Sequence, residues 1–120
     1  MPSVMIIDDH AGFVDAARKL LSTEGFDVVG DASDGLSGVA LAEQMHPDVV
    51  LLDIQLPDID GFEVARRLVD VTPSPAVVLT SSRDALDYGS RVGAAPARGF
   101  IGKAELTGKR LAALVGLALG

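Results

Sequence analysis

Four short apolar runs in this 120-residue chain each end on a residue that can do chemistry, and no other feature restricts the fold so strongly. Val4-Met5-Ile6-Ile7 runs into Asp8-Asp9, and Val49-Val50-Leu51-Leu52 into Asp53. Val77-Val78-Leu79 runs into Thr80, and Phe100-Ile101-Gly102 into Lys103. Segments of helical period separate the runs, and this alternation signals repeated βαβ units around a parallel sheet. In an open parallel sheet every strand finishes on one edge, where ligands bind. Residues far apart in sequence would then converge there as three carboxylates, a hydroxyl and an ammonium. Such a set suits a divalent cation and a phosphoryl group.

The reading along the chain gives five strands and five helices of a doubly wound α/β fold. After the first strand, Phe13, Ala16, Ala17, Leu20 and Leu21 form a helical stripe closed by Glu24-Gly25. A strand near Asp27 to Ala32 precedes a helix from about Gly35 to Gln44, with Leu36, Val39 and Ala40 expected on its inner face. The third strand, Asp48 to Leu52, is apolar on both faces and belongs in the middle of the sheet. A third helix carries Phe62, Ala65, Leu68 and Val69, and Thr72-Pro73-Ser74-Pro75 separates it from the fourth strand. A short, loosely held fourth helix is predicted near Asp84 to Val92; Gly89 within it costs roughly 1 kcal/mol against alanine. The fifth strand is Gly99 to Gly102. The last helix is expected from about Glu105 to Leu119, with Leu111, Leu114, Val115 and Ala118 as its stripe. Leu117 and Leu119 widen that stripe, which reads either as a frayed end or as a docking surface for a second subunit or downstream domain.

A chain of this length makes one domain, 1–120, with no room for an output domain beside it. The 17 acidic and 10 basic residues give a net charge of −7, and the basic residues are scattered, so direct nucleic-acid binding is not expected. No apolar stretch approaches the roughly 18 to 20 residues of a membrane span. The amino terminus lacks a secretory pattern. The absence of cysteine excludes disulfides and thiolate metal sites, and the expected location is cytoplasmic.

Three ionised carboxylates in one partly desolvated crevice repel each other unless a cation neutralises them. Mg²⁺ takes oxygen ligands, keeps several waters and accepts one or two carboxylates plus phosphate oxygens, which matches Asp8, Asp9 and Asp53. With only His10 nearby, zinc or iron is not expected. Asp53 can act as a carboxylate nucleophile on phosphorus, giving an aspartyl phosphate, while Lys103 and the Thr80 hydroxyl contact phosphoryl oxygens. Blander readings compete at each position. Asp8-Asp9 can start a helix, Thr80 can cap the fourth one, Lys103 can be a solvated lysine, and Phe100 can be plain core. His10 reads as an exposed first-turn residue rather than a ligand, and His46 as loop surface.

Taken in order, Ile7-Asp8-Asp9, Asp48-Val49-Val50-Leu51-Leu52-Asp53 with Leu56-Pro57-Asp58-Ile59-Asp60-Gly61, Leu79-Thr80-Ser81 and Gly99-Phe100-Ile101-Gly102-Lys103 resemble the receiver domains of two-component response regulators. Asp8-Asp9-His10 and Gly30-Asp31-Ala32-Ser33-Asp34-Gly35 look most like receivers of regulators with a helix-turn-helix output. The resemblance implies a five-stranded sheet of flavodoxin-like order 2-1-3-4-5. By it, Asp53 is the phosphoacceptor, served by Lys103 and Thr80. Asp9 is a direct Mg²⁺ ligand, Asp8 a ligand through water, and the Gln55 backbone carbonyl a further ligand. Thr80 and Phe100 form the switch pair, and Gln55 and Ser82 tune the dephosphorylation rate. The implied partner is a histidine kinase, and the implied response is a change in the face made by the fourth helix, fifth strand and fifth helix. That face would serve a homodimer or a DNA-binding output domain outside this chain. Ala104 stands where the family often has a proline, so an ordinary trans peptide is expected after Lys103.

Other functions fit less well. A phosphohydrolase with an aspartate nucleophile commonly carries a second acid two residues later, where this chain has Gln55. A flavin mononucleotide carrier of the same sheet order needs a phosphate loop after the first strand, and Asp8-Asp9 would repel that phosphate. The module is therefore read as a non-enzyme that takes and slowly loses a phosphoryl group. The alternative is a receiver-like scaffold that acts by protein contact without phosphorylation.

Overall fold

In the computed structural model, which describes residues 1–118, five strands run in parallel: β1 (Ser3–Ile7), β2 (Asp27–Ala32), β3 (Val49–Asp53), β4 (Ala76–Ser81) and β5 (Gly99–Gly102). Their order is β2-β1-β3-β4-β5, as the resemblance implied. The helices are α1 (Ala11–Thr23), α2 (Gly35–Met45), α3 (Gly61–Leu68), α4 (Arg91–Ala94) and α5 (Gly108–Val115). Single 3-10 turns occupy Ala85–Tyr88 and Lys103–Glu105.

Strand periodicity of two divides the core into two layers. Val4, Ile6, Val49 and Leu51 face one side and pack with Val14, Ala17 and Leu21 of α1 and Leu111, Ala112 and Val115 of α5. Met5, Ile7, Val50 and Leu52 face the other and pack with Ala42 of α2 and Phe62, Ala65 and Leu68 of α3. Every residue of β3 is buried, which is why its run carries no polar alternation and why it lies between β1 and β4.

Several helix faces depart from the sequence reading. On α1, Val14 is buried where Ala16 was expected, and Ala16 is exposed. The inner face of α2 is Gly35, Gly38 and Ala42; Leu36 and Ala40 point outward. Close approach decides this case, because a Cβ on Gly38 would lie 2.5 Å from Ile7 Cδ1. The helix comes closest to the sheet at Gly38; of the expected inner residues Val39 packs against the core, while Leu36 and Ala40 do not. On α3, Val64 is buried and Val69 is exposed.

The single fourth helix expected at Asp84 to Val92 is two pieces. Gly89, at φ +60°, ends the 3-10 turn after Tyr88, and α4 is one turn long. The last helix is shorter than expected. Thr107 caps its start by accepting from the Arg110 N–H, and Gly116 in the left-handed conformation stops it. Leu117 and Ala118 are exposed beyond it, and Leu119 lies outside the described residues.

One contact ties the loop after β3 to the far helix. Asp58 Oδ1 and Oδ2 accept the backbone N–H groups of Gly35 and Leu36, each at 2.8 Å, so α2 is capped from a different loop. These bonds, that from Leu36 first, pull the Asp58 pKa from 3.8 down to about 2. A depressed carboxylate stabilises the fold above its unfolded pKa, and this contribution disappears as pH falls through the folded value. Asp58→Ala is therefore expected to lower the urea midpoint at pH 7. The gap from wild type should narrow as pH drops from about 4 towards about 2. A gap constant with pH would contradict this role.

Candidate functional site

The strand ends assemble a nest at the carboxyl edge of the sheet. Asp8 follows β1 and is fixed by its N–H donating to the Ala32 carbonyl at 2.9 Å. Asp53 ends β3 opposite Thr80 in the β3–β4 register, and the next N–H, of Ile54, donates to the Thr80 carbonyl at 3.0 Å. Gly61 starts α3 by donating to the Ile54 carbonyl at 2.8 Å. This pins both sides of the loop that carries Gln55.

Asp8 and Asp53 are buried, and Asp9 is partly open to solvent. Lys103 Nζ lies 2.8 Å from Asp8 Oδ2 and 3.5 Å from Asp53 Oδ2. The Phe13 ring supports it from behind, 4.6 Å from centroid to Nζ. Lys103 is thus brought inward although Ala104 follows it, and the cis peptide among the described residues is elsewhere, at Thr72-Pro73. The sequence pattern places Phe13 only in the α1 stripe, without this contact.

His10 is exposed at the start of α1, as expected. Its ring is more than half exposed, yet Nδ1 sits 3.0 Å from Asp8 Oδ1, 3.2 Å from Asp9 Oδ1 and 3.5 Å from Asp53 Oδ2. His10 is the N-cap residue of α1 in an extended conformation, and that backbone turns the imidazole back over the strand ends instead of out along the helix.

The donor set fits a divalent cation. One oxygen of each Asp together with a His10 nitrogen lie within 4.8 Å of one another. Asp8 Oδ2 and Asp53 Oδ2 are buried without a hydrogen-bond donor; Lys103 approaches the first at ion-pair distance but without hydrogen-bond alignment. A buried carboxylate oxygen with no donor is costly, and a cation is the partner that would offset it. Burial first, then the neighbouring Asp8 charge, pushes the Asp53 pKa from 3.8 up to about 6. Lys103, the Gln55 N–H and His10 act the other way but do not cancel the rise.

The remaining predicted residues fall around this centre. Gln55 meets Asp53 through its N–H, 3.3 Å from Oδ1. The Thr80 hydroxyl is fully buried and donates to the Ile101 carbonyl at 2.7 Å. Phe100 is half-buried against the α3 side of the core. Ser82 is exposed and, with Phe100 and Lys103, lines a cleft of about 690 Å³ that extends towards Arg110 and Leu114 of α5. This cleft adjoins the nest and does not lie over Asp53.

Four contacts here were invisible in the sequence. Ser81 and Tyr88 hydroxyls meet at 2.7 Å, and the Tyr88 ring stands edge-on to Phe62 with centroids 5.9 Å apart. Arg91 covers the Phe62 ring at 4.3 Å and bonds Asp60 at 3.0 Å. Together they hold the segment after β4 against the start of α3.

Fold and nest define a class: doubly wound α/β modules with an acidic crevice at the carboxyl edge of a 2-1-3-4-5 sheet. The chain belongs to the response regulator receiver domain family, whose model matches residues 4–115. It is similar to the transcription regulator BvgA of Bordetella pertussis, at 39% identity over 103 residues, covering 85% of this chain and 49% of that protein. It is also similar to the transcriptional regulatory protein DegU of Brevibacillus brevis, at 37% over 99 residues, covering 82% and 42%. The chain thus spans about half or less of the length of these relatives. Among solved structures, the signal receiver domain of the response regulator NarL from Mycobacterium tuberculosis superposes with a TM-score of 0.83 at 31% identity, covering 96% of this chain and 97% of that one. A CheY-like receiver from Methanospirillum hungatei shares the fold, with a TM-score of 0.79 at 23% identity over 97% of this chain and 91% of that one. The protein is a receiver domain of two-component signalling. No helix among the described residues is long and apolar enough to cross a membrane.

Proposed function

We propose that this receiver takes a phosphoryl group from a histidine kinase onto Asp53, with a divalent cation held by Asp8, Asp9, Asp53 and the Gln55 carbonyl. The carrying observation is the buried Asp53 oxygen without a donor, 3.5 Å from Lys103, in a nest of like charge. Mg²⁺, when bound, would neutralise the carboxylates and a phosphoryl oxygen. The Asp53 carboxylate attacks phosphorus, the P–N bond to the kinase's histidine breaks with the imidazole as leaving group (with acetyl phosphate, the P–O bond to acetate), and an acyl phosphate results. Lys103 then moves its charge from Asp8 and Asp53 to a phosphoryl oxygen.

The switch follows from Thr80. Its hydroxyl gives up the Ile101 carbonyl and donates to the phosphoryl group, and Phe100 turns into the space released. The face of α4, β5 and α5 changes accordingly and is read by a second copy or by a DNA-binding output segment. The module acts as a switch in the cytoplasm, and Gln55 and Ser82 set how fast water removes the phosphoryl group. A scaffold that never takes phosphate would have no use for this self-repelling nest.

Acetyl phosphate with Mg²⁺ is expected to add one phosphoryl group by intact mass, and chelation by EDTA to prevent it. Absence of any uptake, or uptake indifferent to EDTA, would refute the reading.

A further inference from the structure

The Lys103 ammonium has one neighbour that carries no charge and offers no lone pair. β5 stops at Gly102, and Lys103 opens the 3-10 turn that follows, with Ala104 and Glu105 exposed beyond it. The local backbone therefore does little to fix its flexible four-carbon stem. The side chain is nevertheless only 12% exposed. Its Nζ lies 2.8 Å from Asp8 Oδ2, 3.5 Å from Asp53 Oδ2, 3.2 Å from His10 Nδ1 and 4.6 Å from the centre of the Phe13 ring. The last distance is within the roughly 6 Å at which a ring face attracts a cation.

These partners fare differently during phosphoryl uptake. On the reading given above, Asp53 becomes an acyl phosphate and Asp8 is engaged by a divalent cation, so both carboxylates leave the lysine. His10 Nδ1 can receive the ammonium only through its lone pair, and its ring is more than half exposed. The face of Phe13 is contested by none of these groups. Its place is also fixed, because Phe13 lies in the first turn of α1 beside the buried Val14 and packs on the core layer shared with α5. Without such a floor, a strongly hydrated ammonium that had lost its carboxylates would swing out to water.

We propose that Phe13 is a positioning residue for Lys103: its ring holds the ammonium inward while Asp8 and Asp53 are engaged elsewhere, within reach of a phosphoryl oxygen. This role rests on phosphoryl transfer to Asp53 and adds the residue that keeps the lysine available for it. Molecules with the lysine inward are the competent ones, so uptake falls with the inward fraction.

Uptake from acetyl phosphate with Mg²⁺, followed by intact mass, is compared in wild type, Phe13→Tyr, Phe13→Leu and a chain carrying pentafluorophenylalanine at position 13. The fluorinated ring keeps nearly the same outline but reverses the charge on its face. Phe13→Tyr keeps an attractive face and should react within about twofold of wild type, whereas the leucine and fluorinated forms should be slower by about threefold to tenfold. Mg²⁺ affinity by calorimetry should stay within about twofold throughout, since the ring supplies no oxygen ligand. A second readout needs no phosphoryl donor. The ring current of Phe13 should shift the ε-methylene protons of Lys103 upfield in wild type, with and without Mg²⁺, and the shift should vanish in Phe13→Leu. Wild-type uptake in the fluorinated form, slowing by leucine alone, or unshifted Lys103 protons in wild type with Mg²⁺ would overturn the role of Phe13 and leave transfer to Asp53 standing. No uptake in any form would instead overturn the Asp53 reading, and the role of Phe13 with it.

Discussion

Asp53→Asn is expected to abolish phosphoryl uptake and, in the same molecule, to raise stability. The amide oxygen is too weak a nucleophile to form the acyl phosphate, so uptake from acetyl phosphate should fall to background. The gain in stability has a separate cause. Asp53 is buried beside Asp8, and its pKa is pushed up from 3.8 to about 6. A carboxyl whose folded pKa is raised binds its proton more tightly in the folded state. Its ionisation therefore opposes folding, increasingly as pH rises from about 4 to about 6 and fully above that. Two pKa units correspond to about 3 kcal/mol, and an amide recovers most of it, so the variant should gain on the order of 2 kcal/mol at pH 7 in chelator. The advantage should shrink towards zero near pH 4, where wild-type Asp53 is protonated in the fold. Urea denaturation at the two pH values measures this directly. A variant less stable than wild type at pH 7, or a gain that does not depend on pH, would contradict the origin assigned to the shift.

Gly61→Ala should damage both the fold and the chemistry. A Cβ at this position would fall on the Asp53 carbonyl oxygen and 2.7 Å from Ile54 Cα, so the obstruction is backbone that cannot rotate aside. Alanine is favoured over glycine within a helix by about 1 kcal/mol. Overpacking against backbone costs up to about 3 kcal/mol, so the clash outweighs the propensity and a net loss of about 2 kcal/mol is expected. The movement that relieves the clash must shift the end of β3 or the start of α3. Displacement of a reacting group by about 1 Å can cost about a hundredfold in rate, so phosphoryl uptake should slow by at least about tenfold. Equal stability and an unchanged uptake rate would show that the junction of β3 and α3 is not the rigid seat described here.

The strand-end residues were legible in the sequence because a parallel sheet converts sequence position into spatial position. Asp8, Asp9, Asp53 and Lys103 end apolar runs, and the sheet brings those ends together whatever the intervening chain does. His10 was not legible in this way. It lies one residue past the acidic pair, and only its extended N-cap backbone directs the ring over the nest. The inner face of α2 was misread in part because hydrophobicity points to Leu36, whereas contact with β1 is set by the bare Gly38 against Ile7. The segment after β4 was legible as weak but not as broken. Its split depends on the left-handed turn at Gly89, and its attachment depends on single side-chain contacts of Tyr88 and Arg91 that have no periodic signature.

Asp53, brought beside Asp8 and Lys103 by the sheet, is the group proposed to take phosphorus. Reduction of the acyl phosphate with borohydride converts the modified aspartate to homoserine, and peptide mass spectrometry then reads its position. The mark is expected at residue 53 alone. A mark at Asp8, Asp9 or Asp58 with residue 53 unmodified would contradict this assignment.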